Sequence, residues 1–229
     1  MLNTIIEVDG VEYDVFKEFN FVSRRLQTGK VESKDEEVDV PYRNGSLIVR
    51  ASDQPAFKNR KVQVQLIHVG KNPREDSANF ENLVLGKKCK VYIGEPSEID
   101  KMAADRYYWE GYIEVGELKS SGLRWYKSFT VNAYPYRMAT ALSGKNVTAT
   151  ATGASVTVKN RGILNIMPTF TTAAATAVTV SDGTNSYSFG GAGDHKSANI
   201  ILEAGKSTTL TLTAASATAV AITWREGKF

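Results

Sequence analysis

The stretch that most limits what this chain can become is Trp125 to Arg137, WYKSFTVNAYPYR. Trp125, Phe129, Val131 and Ala133 fall on one side of an alternating run, and Tyr126, Ser128, Thr130 and Asn132 fall on the other. Successive side chains of a strand point to opposite faces, so this alternation predicts a half-buried β-strand. Tyr134-Pro135-Tyr136 then ends it. Pro135 has no amide hydrogen for a sheet ladder and holds Tyr134 extended, so a central strand stops there. Before this point the chain is charged and aromatic; after Met138 it is mostly Ala, Thr, Ser and Gly. The shift predicts two domains, 1–138 and 139–229, with Tyr134, Pro135 and Tyr136 at their junction.

A chain of 229 residues that is 42% hydrophobic and 23% charged has the composition of a soluble globular protein and the length for two modest cores. Cys89 stands alone, which excludes an intrachain disulfide, and with only two well-separated histidines no structural zinc site is expected. The N-terminus MLNTIIEVDG has no basic n-region or long apolar segment, and no apolar run reaches 18 residues, so neither secretion nor membrane insertion is expected and the chain is read as made in a cytoplasm. The net charge of +3 is uneven. Beyond Met138 the seven basic residues Lys145, Lys159, Arg161, Lys196, Lys206, Arg225 and Lys228 face four acids, Asp182, Asp194, Glu203 and Glu226, which leaves the first part neutral and densely charged. Mixed signs without a basic excess argue against sequence-specific nucleic-acid binding.

Along the first domain, Thr4 to Phe21 reads as two strands around the turn Asp9-Gly10, followed by a polar stretch with little periodicity from Val22 to Asp39. Tyr42-Arg-Asn-Gly45 is a turn signal, and Ser46 to Arg50 is a short strand. Lys61 to Val69 is a strand with Val62, Val64 and Leu66 inward and His68 on that same face, where a lone histidine is expected as a satisfied core or rim residue, with no carboxylate partner close in sequence. Ala78 to Leu85 has the spacing of a short helix, Lys88 to Gly94 is a strand, and Pro96 to Asp105 is a polar connection with a helical turn around Ile99 and Met102. Arg106 to Val115 and Leu123 to Ala133 form a long hairpin rich in aromatics. One face of that hairpin is expected to fill a core and the other to meet a neighbouring subunit, where Tyr and Trp are enriched; Tyr107, Trp109, Tyr112 and Tyr126 are the candidate oligomer contacts.

The second domain offers short β-branched runs at 147–158, 175–180, 186–189 (SYSF), 199–202 (NIIL), 207–213 and 219–224, separated by turn signals, which predicts a small antiparallel sandwich with Trp224 in its core. No nucleophile elbow, zinc-protease motif, P-loop or dinucleotide fingerprint is present. Gly190-Gly-Ala-Gly193 follows a strand without opening a helix, so a flexible hairpin end is expected there and no phosphate cradle. The carboxylate pairs Glu98/Asp100 and Glu110/Glu114 are the only footing for acid–base work, and are read as solvated residues facing lysine or arginine across the sheet. No catalytic residue, cofactor or metal is expected.

The order of DGVEYDVFKEFNF, PYRNGSL, AYPYRM, NRGILNIMPTF, ILEAGKSTTLTL and AVAITWREGKF along the whole chain resembles the distal tail (Dit) family of long-tailed bacteriophages. The resemblance implies a mainly β chain: an N-terminal β-sandwich with one short helix, related to the tail-tube fold, and a small galectin-like β-sandwich at the periphery. It implies a non-enzymatic hub in the virion tail tip, six copies forming a ring that continues the tail-tube channel for DNA passage. The implied partners are other copies of the chain, the tail-tube protein, the tail-associated lysin or hub protein, the tape measure protein, and receptor-binding or other baseplate proteins. The second domain has no room for an inserted sugar-binding module, so the alternative, a carbohydrate-binding adhesin acting through residues 139–229, has less support.

Overall fold

The computed structural model describes residues 2–34, 36–39, 46–49, 57–100 and 106–229. The expected turn at Tyr42–Gly45 lies outside the described residues, as does the Met102 part of the helical turn expected around Ile99 and Met102, while its Ile99 part is helical. Contacts divide the chain into a first unit, Met1–Arg137 with Phe229, and a second, Met138–Lys228.

In the first unit β1 (Asn3–Val8) and β2 (Val11–Asp14) form a hairpin across Asp9 and Gly10, whose φ values of 52° and 82° make the mirror-image turn that matches strand twist. The second strand then ends sooner than its sequence predicts. Asp14 Oδ1 accepts from Phe16 N (3.0 Å) and Lys17 N (3.2 Å), so Val15–Phe19 is a short helix, α1, closed by Asn20 in the left-handed region. The polar stretch that follows is a strand as well: β3 (Phe21–Thr28) pairs with β6 (Arg60–His68) through a bulge at Ser23/Arg25, and that bulge breaks the alternation. β4 (Glu36–Asp39) and β5 (Ser46–Val49) pair with each other.

Pro73 and the acidic first turn of Glu75 and Asp76 open α2 (Pro73–Val84), several residues before the expected start at Ala78. β7 (Lys88–Gly94), the single turn α3 (Pro96–Ile99), β8 (Tyr107–Val115), β9 (Lys119–Ser121) and β10 (Arg124–Ala133) follow. The antiparallel order is β2-β1-β7-β8-β10-β6-β3, with β9 folded onto the start of β10, so the long hairpin is real but broken at residues 116–118. A bridge between Leu2 and Ser23, with Thr4 Oγ1 and Ser23 Oγ 2.6 Å apart, joins β1 to β3 and closes the sheet on itself. Inside lie Ile6, Val62, Val64, Leu66, Val91, Phe129 and Val131, with α1 and α2 contributing Phe19 and Phe80.

Polar side chains also lie on that inward face, His68 and Lys127 among them. His68 is buried as expected, but it has a carboxylate partner that only the fold supplies: its Nε2 lies 2.6 Å from Asp76 Oδ2, which also accepts from Asn20 Nδ2. Lys127, on the Phe129 side of β10, is also buried, and its Nζ donates to Ser77 Oγ (2.7 Å) and to Glu81 on α2. Cys89 is buried on β7, and loss of hydration pushes its thiol up to about 11.

β11 (Arg137–Ala139) leads into the second unit, a sandwich of two four-stranded sheets. One has the order β12-β19-β14-β17 and the other β13-β18-β15-β16. Their ranges are β12 (Ser143–Ala149), β13 (Ala154–Lys159), β14 (Thr169–Thr172), β15 (Val178–Ser181), β16 (Ser186–Phe189), β17 (Gly193–His195), β18 (Ser207–Ala214) and β19 (Thr218–Trp224); β20 (Gly227–Lys228) ends the unit. Between the sheets lie Phe170, Val178, Leu210, Leu212, Ile222 and Trp224. The run Asn199–Leu202, expected as a strand, is a loop with one bridge from Leu202 to Ile166; Ile200 and Leu202 enter the core without a ladder. Asn160 anchors this region: buried, it donates to Leu164 O (2.7 Å) and Leu202 O (3.0 Å) and accepts from Gly162 N (2.9 Å). The glycine-rich segment is the turn into β17, where Phe189 stacks on His195 at 4.5 Å.

Candidate assembly surface

Alternation along β8 sorts the aromatic candidates. Positions 109, 111, 113 and 115 point to the core and positions 110, 112 and 114 point away, so Trp109 lies inside the sheet at 3% exposure while Tyr112 is 58% exposed. Tyr107 is half-buried on the Trp109 side, and the Arg137 guanidinium sits 5.8 Å from its ring and 5.2 Å from that of Trp109. In the single chain the pleat turns Trp109 inward, where it is buried. Tyr126, half-buried, points to the same outward face of the sheet as Tyr112. Tyr112 pairs with Asn132, six residues along β10 from Tyr126, so the two tyrosines stand roughly 20 Å apart along the strand.

Between them the outward face is a set of polar rows. Lys88, Tyr112, Asn132 and Lys61 form one row across four strands, and Glu114, Thr130 and Gln63 form the next. Lys88 Nζ donates to Glu110 Oε1 at 2.9 Å and lies 5.3 Å from the Tyr134 ring; the Glu110 hydrogen bond raises the lysine's pKa above its ordinary range. Glu110 is thus paired as its spacing implied, Glu114 is exposed, and Glu98 is used to cap α3 by accepting from Glu95 N (2.9 Å). Neighbouring strands carry a second network on this face: Glu7 accepts from Lys90 Nζ (2.7 Å) and Tyr92 OH (2.9 Å), and Arg106 binds Glu12 through two bonds at 2.8 and 3.1 Å.

Tyr134, Pro135 and Tyr136 are held by groups that sequence reasoning missed. Arg60, buried at the start of β6, donates from Nη1 to Pro135 O (3.1 Å), and burial, helped by the charge of Arg137, lowers its pKa. Tyr134 N donates to Glu110 O, the two tyrosine rings stack 6.1 Å apart, and burial pushes the Tyr136 phenol up. At the far end of the face, Arg24, Gln65, Ile67, Glu117, Lys119 and Tyr126 line a cleft of 440 Å³ under the turn that leads into β9. Leu123, next to the Gly122 turn, is fully exposed at the tip of that hairpin. The surface is polar and patterned, with Tyr112 and Tyr126 standing toward its two ends. Among the described residues no three His, Cys, Asp or Glu side chains are grouped to hold a metal, and no helix is long and apolar enough to cross a membrane.

No protein-family model matches the sequence, and no curated protein matches it. A solved structure does. The Dit protein of phage SPP1, described as a paradigm of hub adsorption apparatus in Gram-positive infecting phages, superposes with a TM-score of 0.62 at 17% identity. This chain has the SPP1 Dit fold. The match covers 97% of this chain and 98% of that one, so it includes both units rather than one common β-sandwich. At this identity few side chains are shared, and the likeness lies in the order and pairing of strands.

Proposed function

We propose that this protein is the structural hub of a phage tail tip, a virion component that joins the tail to its adsorption apparatus. The observation that carries this reading is the end-to-end match, through both units, to a hub protein of that kind. Residues 1–138 would form a ring, read as hexameric, that continues the tail-tube channel, and residues 139–229 would be the peripheral galectin-like domain. The partners would be the tail-tube protein above, the tail-associated lysin or hub protein below, the end of the tape measure inside, and receptor-binding or other baseplate proteins at the side. A scaffolding role without catalysis fits residues that are tied into structure: Glu110 is paired to Lys88 and Glu98 caps a helical turn.

Ring contacts are heterologous, with one surface meeting a different one on the next copy. The outward face that carries Tyr112 and Tyr126 supplies one such surface. A balanced first domain also suits a channel for DNA, because each phosphate contact adds salt-sensitive affinity that would hold the passing genome. Negative-stain electron microscopy with light scattering over a concentration series tests the reading. Open-centred six-fold rings with a mass near six times the 25.1 kDa chain are expected, alone or on addition of the tail-tube protein. A protein that stays monomeric under both conditions would refute the ring.

A further inference from the structure

The second unit carries a charged feature that the hub reading does not use. β12 and β13 are the edge strands of its two sheets, and where they run beside each other a cleft of 380 Å³ opens. Lys145 from β12, Lys159 from β13 and Arg161 just beyond it converge on this cleft, with Ser143 and Thr157 supplying hydroxyls and Trp224 at its floor. All three cations are exposed, and among the described residues none of them has a carboxylate within ion-pairing distance. Glu226 is the one acid lining the cleft, and its Oε1 is already engaged by Arg161 N (3.1 Å) and Trp224 Nε1 (3.4 Å).

We propose that this cleft binds a phosphate-type oxyanion, presented by a phosphodiester or polyphosphate chain. Three of the seven basic residues of a unit with only four acids meet at one concavity, so the unit's excess charge is focused there. Two ammonium point charges and one guanidinium fork can surround a multiply charged tetrahedral oxyanion from several sides, as both residue types bind phosphate. The hydroxyl of Ser143 adds a neutral donor at the rim, while that of Thr157 is shared with Thr209 Oγ1 at 3.2 Å. Lysines on edge strands also deter strand-to-strand association. That role needs only solvated charge on each strand, and gives no reason for Lys145 and Lys159 to share a cleft with Arg161. The inference does not depend on the tail-hub reading, because every group in it belongs to the second unit.

Isothermal titration of the full chain with inorganic tripolyphosphate and with a short poly(glycerol phosphate) is the test, with neutral dextran and a polyglutamate peptide as comparators, each over a salt series. Both phosphate probes are expected to bind and dextran is not. The double variant Lys145→Gln/Lys159→Gln should bind roughly tenfold more weakly, and its slope of log K against log salt should be smaller by about 1.4, two phosphate contacts having been removed. Both lysines are exposed, so thermal unfolding of the variant should match the parent. Absence of binding to either phosphate probe, or equal binding by the variant, overturns the proposal. Polyglutamate binding tighter than both phosphate probes would assign the cleft to an acidic protein partner. Self-association of the variant without any phosphate binding would reduce the lysines to edge guards.

Discussion

Lys127 is the residue that departs furthest from what its sequence position implies. It sits on the inward side of β10 between Trp125 and Phe129, where a hydrophobic side chain is expected, and it is stabilised by Ser77 and Glu81 on the facing helix. The Lys127 hydrogen bond, the largest cause, holds the Glu81 carboxyl below its usual range. The stabilisation from Glu81 is therefore complete above the unfolded carboxylate value of about 4.3 and fades as pH falls through the lower folded value. Glu81→Gln should cost about 2 kcal/mol at neutral pH, less than for a fully enclosed pair because Glu81 is 46% exposed. In urea titrations the gap between parent and variant should narrow below pH 4, and a pH-independent gap would rule out the charge pair as its source. Lys127→Met should be nearly neutral, since an apolar isostere removes the desolvation cost together with the pair. Asn160 is the corresponding residue of the second unit. Asn160→Ala takes the side-chain partner from Leu164 O and Gly162 N and one of the two donors from Leu202 O, which keeps Ile166 N, and should lower stability by about 2 kcal/mol in the same assay.

At the scale of elements, β8 and β10 approach so closely at Gly111 that a Cβ there would meet Asn132 O at 2.2 Å. The obstacle is backbone in a central strand pair and cannot rotate away, so Gly111→Ala should destabilise the chain by about 2–3 kcal/mol or shift the β8–β10 register, read from its urea midpoint and its amide exchange. The outward faces of these strands carry a prediction of a different kind. Tyr112→Ser with Tyr126→Ser should leave the monomer's melting temperature within a few degrees, since Tyr112 is exposed and Tyr126 half-buried, while reducing the fraction of rings counted by microscopy. Rings at parental frequency would remove this face from the contact.

For the whole molecule, two separate hydrophobic clusters imply two cooperative units. Calorimetry of Asn160→Ala should shift one transition and leave the other in place; a common shift of a single transition would mean that the units unfold together. The fold matches SPP1 Dit over 97% of the chain at only 17% identity, as expected when inward-facing positions need only be apolar and of suitable volume.

The sequence by itself determined what rests on local periodicity: the mainly β class, the inward face of Lys61–His68 and of the β10 strand, the Asp9-Gly10 hairpin and the place of Trp224 in a core. Each of these follows from side chains alternating along one strand or from a backbone angle that few residues tolerate. Local pattern misled where one side chain outweighs it. Asp14 caps a helix inside an apparent strand, a bulge at Ser23 hides β3, and Ile200 and Leu202 are buried without belonging to a ladder. Only the tertiary structure decided which polar groups pair. His68 meets Asp76, Lys127 meets Glu81, Arg60 reaches Pro135, and Lys145, Lys159 and Arg161 meet at one cleft. The reason is physical: a buried charge or amide is stable only against a partner at hydrogen-bonding distance, and that distance is set by strand register and helix packing rather than by separation along the chain.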